Sequence, residues 1–179
     1  MRGNNFDVLD KESGVLRSDV FNFFFEHEVK RSRMYEYSVA LLILESDHTP
    51  LTSQTVQTMS ALIQKQIREV DLLGRIGDAK FVILLPQSDL DAAYIVASRI
   101  IDHISNYVFP QEQGQHLTVS IGAACFPTTS ASPQTANLFK GAENALRVAQ
   151  KEGNSVQVAG LSVRKPPESR VDDGSGSLF

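Results

Sequence analysis

The sequence predicts an α/β fold: a sandwich with a central, mostly antiparallel five-stranded sheet and flanking helices. Three observations carry this. Residues 71–86, DLLGRIGDAKFVILLP, read as two short apolar arms folded back around a turn at Gly77-Asp78-Ala79. Two further apolar runs, SVALLILE at 38–45 and HLTVSIGAACFP at 116–127, and the short SVQVA at 155–159, have strand length. Between these runs lie segments with apolar residues at helical spacing, so helices alternate with strands along the chain.

Taken in order, residues 1–17 are polar and turn-rich, with DKESGVL as a loop. Ser18 or Asp19 can cap a helix over 18–34 whose stripe is Phe21, Phe24, Phe25 and Val29. SVALLILE follows as a strand buried on both faces. A helix from about Ser53 to Arg68 places Val56, Met59, Ile63 and Ile67 inward. The hairpin pairs Asp71–Ile76 with Lys80–Leu85, with Gly77 expected to supply the positive φ of a tight turn, and Pro86 stops the second arm. A helix over about 89–107 carries the stripe Leu90, Ala93, Ala97, Ile100 or Ile101, and Ile104. After the strand at 116–127, Ser132-Pro133 opens a helix over 134–151 with Leu138, Ala142, Ala145 and Ala149 inward, and Gly153 ends it. This order fits a β-α-β-β-α-β core, the palm or ferredoxin-like arrangement, with additions. After Gly160 the composition changes. RKPPESRVDDGSGS has two prolines, mixed charge and no apolar pattern, so 161–179 is expected to be a disordered tail, 1–9 a lead and 10–160 the domain.

The chain has 179 residues, 42% hydrophobic and 21% charged, which suits one domain with a proper core. A net charge of −4 gives no general attraction to nucleic acid or to an anionic membrane. MRGNNFDVLD has no apolar h-region and no run approaches a membrane span, so a cytoplasmic chain without membrane insertion is expected. The single cysteine, Cys125, excludes an internal disulfide, and the histidines at 27, 48, 103 and 116 are too scattered to form a zinc site.

Five segments in the right order resemble a known family. DKESGVLRSDVF resembles the opening segment D-x-L-T-G-L-x-N-R-x-x-F, with Asp10, Gly14, Leu16 and Phe21 in place. LLILESDH resembles a first strand ending in D-x-D-H, and RIGDAKFVILLP falls where R-Y-G-G-D-E-F and its strand belong. TVSIGAA and AENALRVAQKEGN resemble the fourth strand and the closing A-D-x-A-L-Y-x-A-K-x-x-G-R-N helix. Over roughly 10–158 the chain looks like a GGDEF domain, the diguanylate cyclase fold, and the resemblance implies a GGDEF-type sandwich.

The family joins two GTP molecules into cyclic di-GMP with two metal ions, and Mg²⁺ needs hard oxygen ligands. Here Glu45 at the strand end could still bind a metal, but Ala79 offers no ligand and Lys80 places positive charge at the metal position. Pro50 and Gln150 stand where the resemblance implies phosphate-contacting lysines, and about Ser53 stands where it implies the guanine-reading asparagine. The G-H-x-x-G-D loop is missing. These departures imply a degenerate site, Gly77-Asp78-Ala79-Lys80-Phe81, with no enzyme activity, no catalytic residues, no catalytic metal and no other cofactor.

Family members often carry a second, product-binding site with R-x-x-D five residues before the turn. REVD, Arg68 to Asp71, has that register. The tetrad also occurs at Arg75, Arg99 and Arg170, so only its position makes the first one informative. A further arginine on the next helix usually completes the site, and counting from Phe81 places it at Arg99. An arginine fork can donate to guanine O6 and N7 and meet phosphate, and a carboxylate can accept from guanine N1–H and N2–H. The expectation is a cyclic di-GMP receptor that binds through Arg68, Asp71 and Arg99 and signals to a protein partner, with a ligand-bridged dimer possible. The alternatives are a ligand-free interaction module derived from a GGDEF domain, or a residual GTP-binding regulator using Glu45 and Asp47.

Overall fold

The computed structural model describes residues 7–126 and 135–159. Its elements run β1 (Leu16–Arg17), α1 (Ser18–Tyr35), β2 (Val39–Ser46), α2 (Ser53–Gln64), β3 (Leu72–Gly77), β4 (Lys80–Pro86), α3 (Leu90–Ser105), β5 (Val108–Phe109), β6 (Gln115–His116), β7 (Val119–Phe126), α4 (Thr135–Glu152) and β8 (Val156–Val158). Strands β1-β3-β4-β2-β7-β8 form one sheet in that spatial order. The three central pairings are antiparallel, and the outer pairs β1–β3 and β7–β8 are parallel.

Alternation of side chains on the pleat explains the layers. Ala40, Leu42 and Leu44 of β2 and Phe81, Ile83 and Leu85 of β4 face α2 and α3, meeting Val56, Met59, Ile63, Ala97, Ile100 and Ile104. Val39, Leu41, Ile43, Val82 and Leu84 face the other way, against Phe21, Phe25 and Val29 of α1 and Leu138, Ala142 and Leu146 of α4. A sheet apolar on both faces is thus covered by a helix pair on each side, as the unbroken run VALLILE requires. The α/β class and the mostly antiparallel sheet agree with the sequence reading. No described helix is long and apolar enough to cross a membrane.

Several local expectations are corrected. The sheet has six strands rather than five, because Leu16–Arg17, within the expected loop, pairs with Gly74 and Arg75. A two-residue strand has no periodicity of its own, and its pairing is supplied by β3. A separate ribbon, β5 with β6, occupies part of 108–116. Phe24 is 43% exposed and leaves the stripe of α1, and Arg17 rather than Ser18 or Asp19 occupies the N-cap. Gly77 is not among the residues with positive φ, because a register shift between Arg75 and Gly77 turns the hairpin instead. Gly153 does take positive φ, +67°, and its N–H closes α4 on the carbonyl of Ala149. Helix α2 stops at Gln64, four residues early. The Arg68 N–H donates to the Asp71 carboxylate instead of a helical carbonyl, which draws the chain out of the helix. The expected helix start at Ser132-Pro133 and the expected tail at 161–179 lie outside the described residues.

Candidate functional site

Two groups of side chains, at opposite ends of the sheet, hold the residues singled out in the sequence. At the hairpin end, a cleft of about 610 Å³ is lined by Glu12, Glu45, Pro50, Arg75, Ala79 and Lys80, among others. Antiparallel register sets Glu45 of β2 opposite Lys80 of β4. The Lys80 ammonium lies 3.6 Å from Glu45 Oε2 and 3.6 Å from Oε1 of Glu143 on α4. Gln150 Nε2 also donates to Glu45, at 3.0 Å. Asp47 is turned away to accept from Ser120 Oγ at 2.6 Å and from the Asn154 N–H at 2.9 Å.

This donor set does not fit the two-metal centre that the resemblance implies. The Ala79 side chain has no donor atom, the position facing Glu45 is filled by an ammonium, and Asp47 is committed to the β7–β8 side. Among the described residues no group of three or more His, Cys, Asp or Glu is arranged to hold a metal ion.

Arg75 braces the cleft from behind. Its Nη1 bonds to Asp10 at 3.0 Å and to Glu12, and Nε and Nη2 donate to the carbonyls of Gly77 and Asp78. Burial raises the Asp10 carboxyl, but hydrogen bonds from Ser13 and Arg75 outweigh it and hold the group at about 2. Bonds from Ser53 and then Arg75 keep Glu12 below the ordinary range.

At the other end, Arg68 lies on the turn between α2 and β3. Asp71 Oδ2 accepts from the Arg68 N–H at 2.7 Å, Oδ1 accepts from Nη2 at 2.8 Å, and Nε lies 3.2 Å from each oxygen. Nη2 also donates to the Pro86 carbonyl at 2.9 Å and to Ser88 Oγ at 3.0 Å. The pair is asymmetric: the Asp71 side chain is 1% exposed and that of Arg68 53%. Hydrogen bonding to Asp71 raises the guanidinium's already high pKa. Arg99, exposed on α3, donates from Nη2 to the carbonyl of Gln66, two residues before Arg68.

The three expected binding residues are therefore brought to one rim, but not in equal roles. Arg68 and Arg99 are exposed. The Asp71 side chain faces Arg68, is closed to solvent and braces the arginine. Sequence reasoning missed Ser88, the Pro86 carbonyl and Glu143. Glu143 stands at the acidic position of the closing-helix motif, a signal that could have found it. Nothing local in QSDL singles out Ser88, which approaches Arg68 only because β3 and β4 are neighbours in the sheet.

A family model described as Diguanylate cyclase, GGDEF domain, matches residues 9–156. Among curated relatives, a probable diguanylate cyclase of Escherichia coli K12, DgcT, is 28% identical over 157 residues, covering 77% of this chain and 33% of its own length. The chain spans about a third of the length of the curated relatives it matches. Among solved structures, the GGDEF domain of DgcB from Caulobacter crescentus, in complex with c-di-GMP, superposes with a TM-score of 0.78 at 15% identity, covering 86% of this chain and 94% of that one. The diguanylate cyclase SiaD of Pseudomonas aeruginosa, in complex with its activator SiaC, superposes with a TM-score of 0.77 at 21% identity, covering 86% and 62%. At these identities the structures establish the fold. The expectation that the chain is not an enzyme is overturned: the matching family model and DgcT both carry the name diguanylate cyclase.

Proposed function

This chain belongs to the GGDEF domain family, and on that premise we propose that it binds cyclic di-GMP on the rim carrying Arg68 and Arg99, and passes that binding on to a protein partner. One observation carries the reading. Both guanidiniums are anchored on the same short segment, Arg68 on Asp71 and Arg99 on the carbonyl of Gln66, and both remain exposed. Two fixed cations with planar faces suit a ligand made of two phosphates and two purines. GGDEF relatives that hold c-di-GMP in one case and a protein activator in another support both halves of the reading.

The test is calorimetry with cyclic di-GMP and, separately, GTP. Cyclic di-GMP is expected to bind. Arg68→Ala is expected to weaken it roughly ten- to a hundredfold, the range for losing a base-stacking side chain. Arg99→Ala is expected to weaken it less, with an effect that shrinks as salt rises. Arg170→Ala, in another R-x-x-D tetrad, serves as the control and leaves affinity unchanged. Mass measurement with and without ligand checks for a bridged dimer. No heat with cyclic di-GMP, or Arg68→Ala binding as tightly as the unmodified chain, overturns the reading in favour of a ligand-free interaction module. Heat with GTP alone favours a GTP-binding regulator.

A further inference from the structure

The bonding of Arg68 limits what it can read in a ligand, and this inference rests on the cyclic di-GMP reading above. A guanidinium carries five hydrogens. Its two forked edges are Nε with Nη2, and Nη1 with Nη2, so every bidentate contact uses Nη2. In this chain both Nη2 hydrogens are taken. Three acceptors converge on that nitrogen: Asp71 Oδ1 at 2.8 Å, the Pro86 carbonyl at 2.9 Å and Ser88 Oγ at 3.0 Å. The Ser88 hydroxyl donates to the Pro86 carbonyl at 3.1 Å, which leaves its oxygen lone pairs for Arg68. The Nε hydrogen is shared between the two Asp71 oxygens. Nη1 has no acceptor among the described residues, and the side chain is half exposed.

Ser88 is itself fixed. It is 5% exposed, and its N–H donates to the carbonyl of Ser38. Asp71 is 7% exposed. The acceptors that close the edge are therefore parts of the sheet's end rather than mobile side chains. If Nη2 turns to a ligand, Pro86 and Ser88 keep the bond between them, but the buried Asp71 carboxylate keeps only the Arg68 N–H and the longer Nε contact.

We infer that Arg68 meets its ligand through Nη1 and the flat face of the guanidinium, and does not read the N7/O6 edge of guanine. Asp71, Ser88 and the Pro86 carbonyl set that choice. Arg68 then contributes stacking and charge, which any purine accepts, and base identity is read elsewhere on the ligand. This replaces the forked guanine contact expected from the residue types alone.

The experiment compares cyclic di-GMP with its 7-deazaguanine analogue, which lacks the N7 acceptor, on the unmodified chain and on Arg68→Ala. The analogue is expected to bind the unmodified chain within about twofold of cyclic di-GMP, while Arg68→Ala weakens both roughly equally. An analogue penalty of about tenfold that disappears in Arg68→Ala overturns the inference, because Arg68 then reads N7. A penalty that persists in Arg68→Ala supports it, since another group reads that atom. If Arg68→Ala weakens neither ligand, the cyclic di-GMP reading itself falls and takes this inference with it. A thermal melt of Arg68→Ala, expected to be cooperative, confirms that lost affinity is not lost fold.

Discussion

Replacing Asp71 by alanine is expected to cost stability in the absence of any ligand. The carboxylate is buried and receives the Arg68 N–H at 2.7 Å, Nη2 at 2.8 Å and Nε at 3.2 Å. Alanine removes them all. The guanidinium is half exposed and rehydrates, so its share of the loss is at most about 1 kcal/mol. The main-chain N–H loses a charge-assisted partner in the turn that ends α2, a loss like that of a helix cap and about 1–2 kcal/mol. Together these give about 2 kcal/mol, or about 4–8 °C in melting temperature for a domain of this size. Asp71→Asn keeps one acceptor oxygen and is expected to lose about half as much. Urea unfolding followed by far-UV circular dichroism, without ligand, measures both variants. If Asp71→Ala unfolds within about 0.5 kcal/mol of the unmodified chain yet loses cyclic di-GMP binding, the bracing role is refuted and the carboxylate is a ligand contact.

Gly122→Ala is expected to destabilise by about 3 kcal/mol or more in the same assay, because its Cβ would lie 2.1 Å from the Ala142 carbonyl oxygen and 2.2 Å from the Leu146 nitrogen, backbone that cannot rotate away; a change under about 1 kcal/mol would show that α4 is loosely seated. Lys80→Met leaves Glu45 and Glu143 facing each other without their shared cation and is expected to cost about 1 kcal/mol, recovered when both glutamates are also made glutamine; urea midpoints of the two variants and the unmodified chain decide it, and no recovery means the charges do not interact. The Asp10 carboxyl is lowered from 3.8 to about 2, so its contribution to stability is complete above about pH 4 and lost as pH falls toward 2. Urea midpoints read against pH should therefore drop less steeply over that window in Asp10→Asn, and identical slopes would show that Asp10 adds nothing to acid sensitivity.

Much of this protein is legible in the sequence because its elements obey one period each. VALLILE and KFVILL are long enough, and apolar enough, to be read as strands buried on both faces. Helices α3 and α4 carry stripes of Ala, Ile and Leu that leave no other choice of inward face. The register of REVD against the hairpin is also a property of the chain alone, and so is the presence of Ala79 and Lys80 in the turn. What one dimension does not hold is which partner each polar atom takes. Arg68 and Asp71 could equally have faced a ligand or each other. The buried end of β4 decided it, by bringing the Pro86 carbonyl and Ser88, eighteen and twenty residues away, onto Nη2. Lys80 meets Glu143 for the same reason, since α4 packs across β2 and β7. Strand β1 exists only because β3 offers it an edge. Patterns of apolar residues survive projection onto a line, because burial depends on period. Hydrogen-bond partners do not, because they depend on which segments the folded sheet sets side by side.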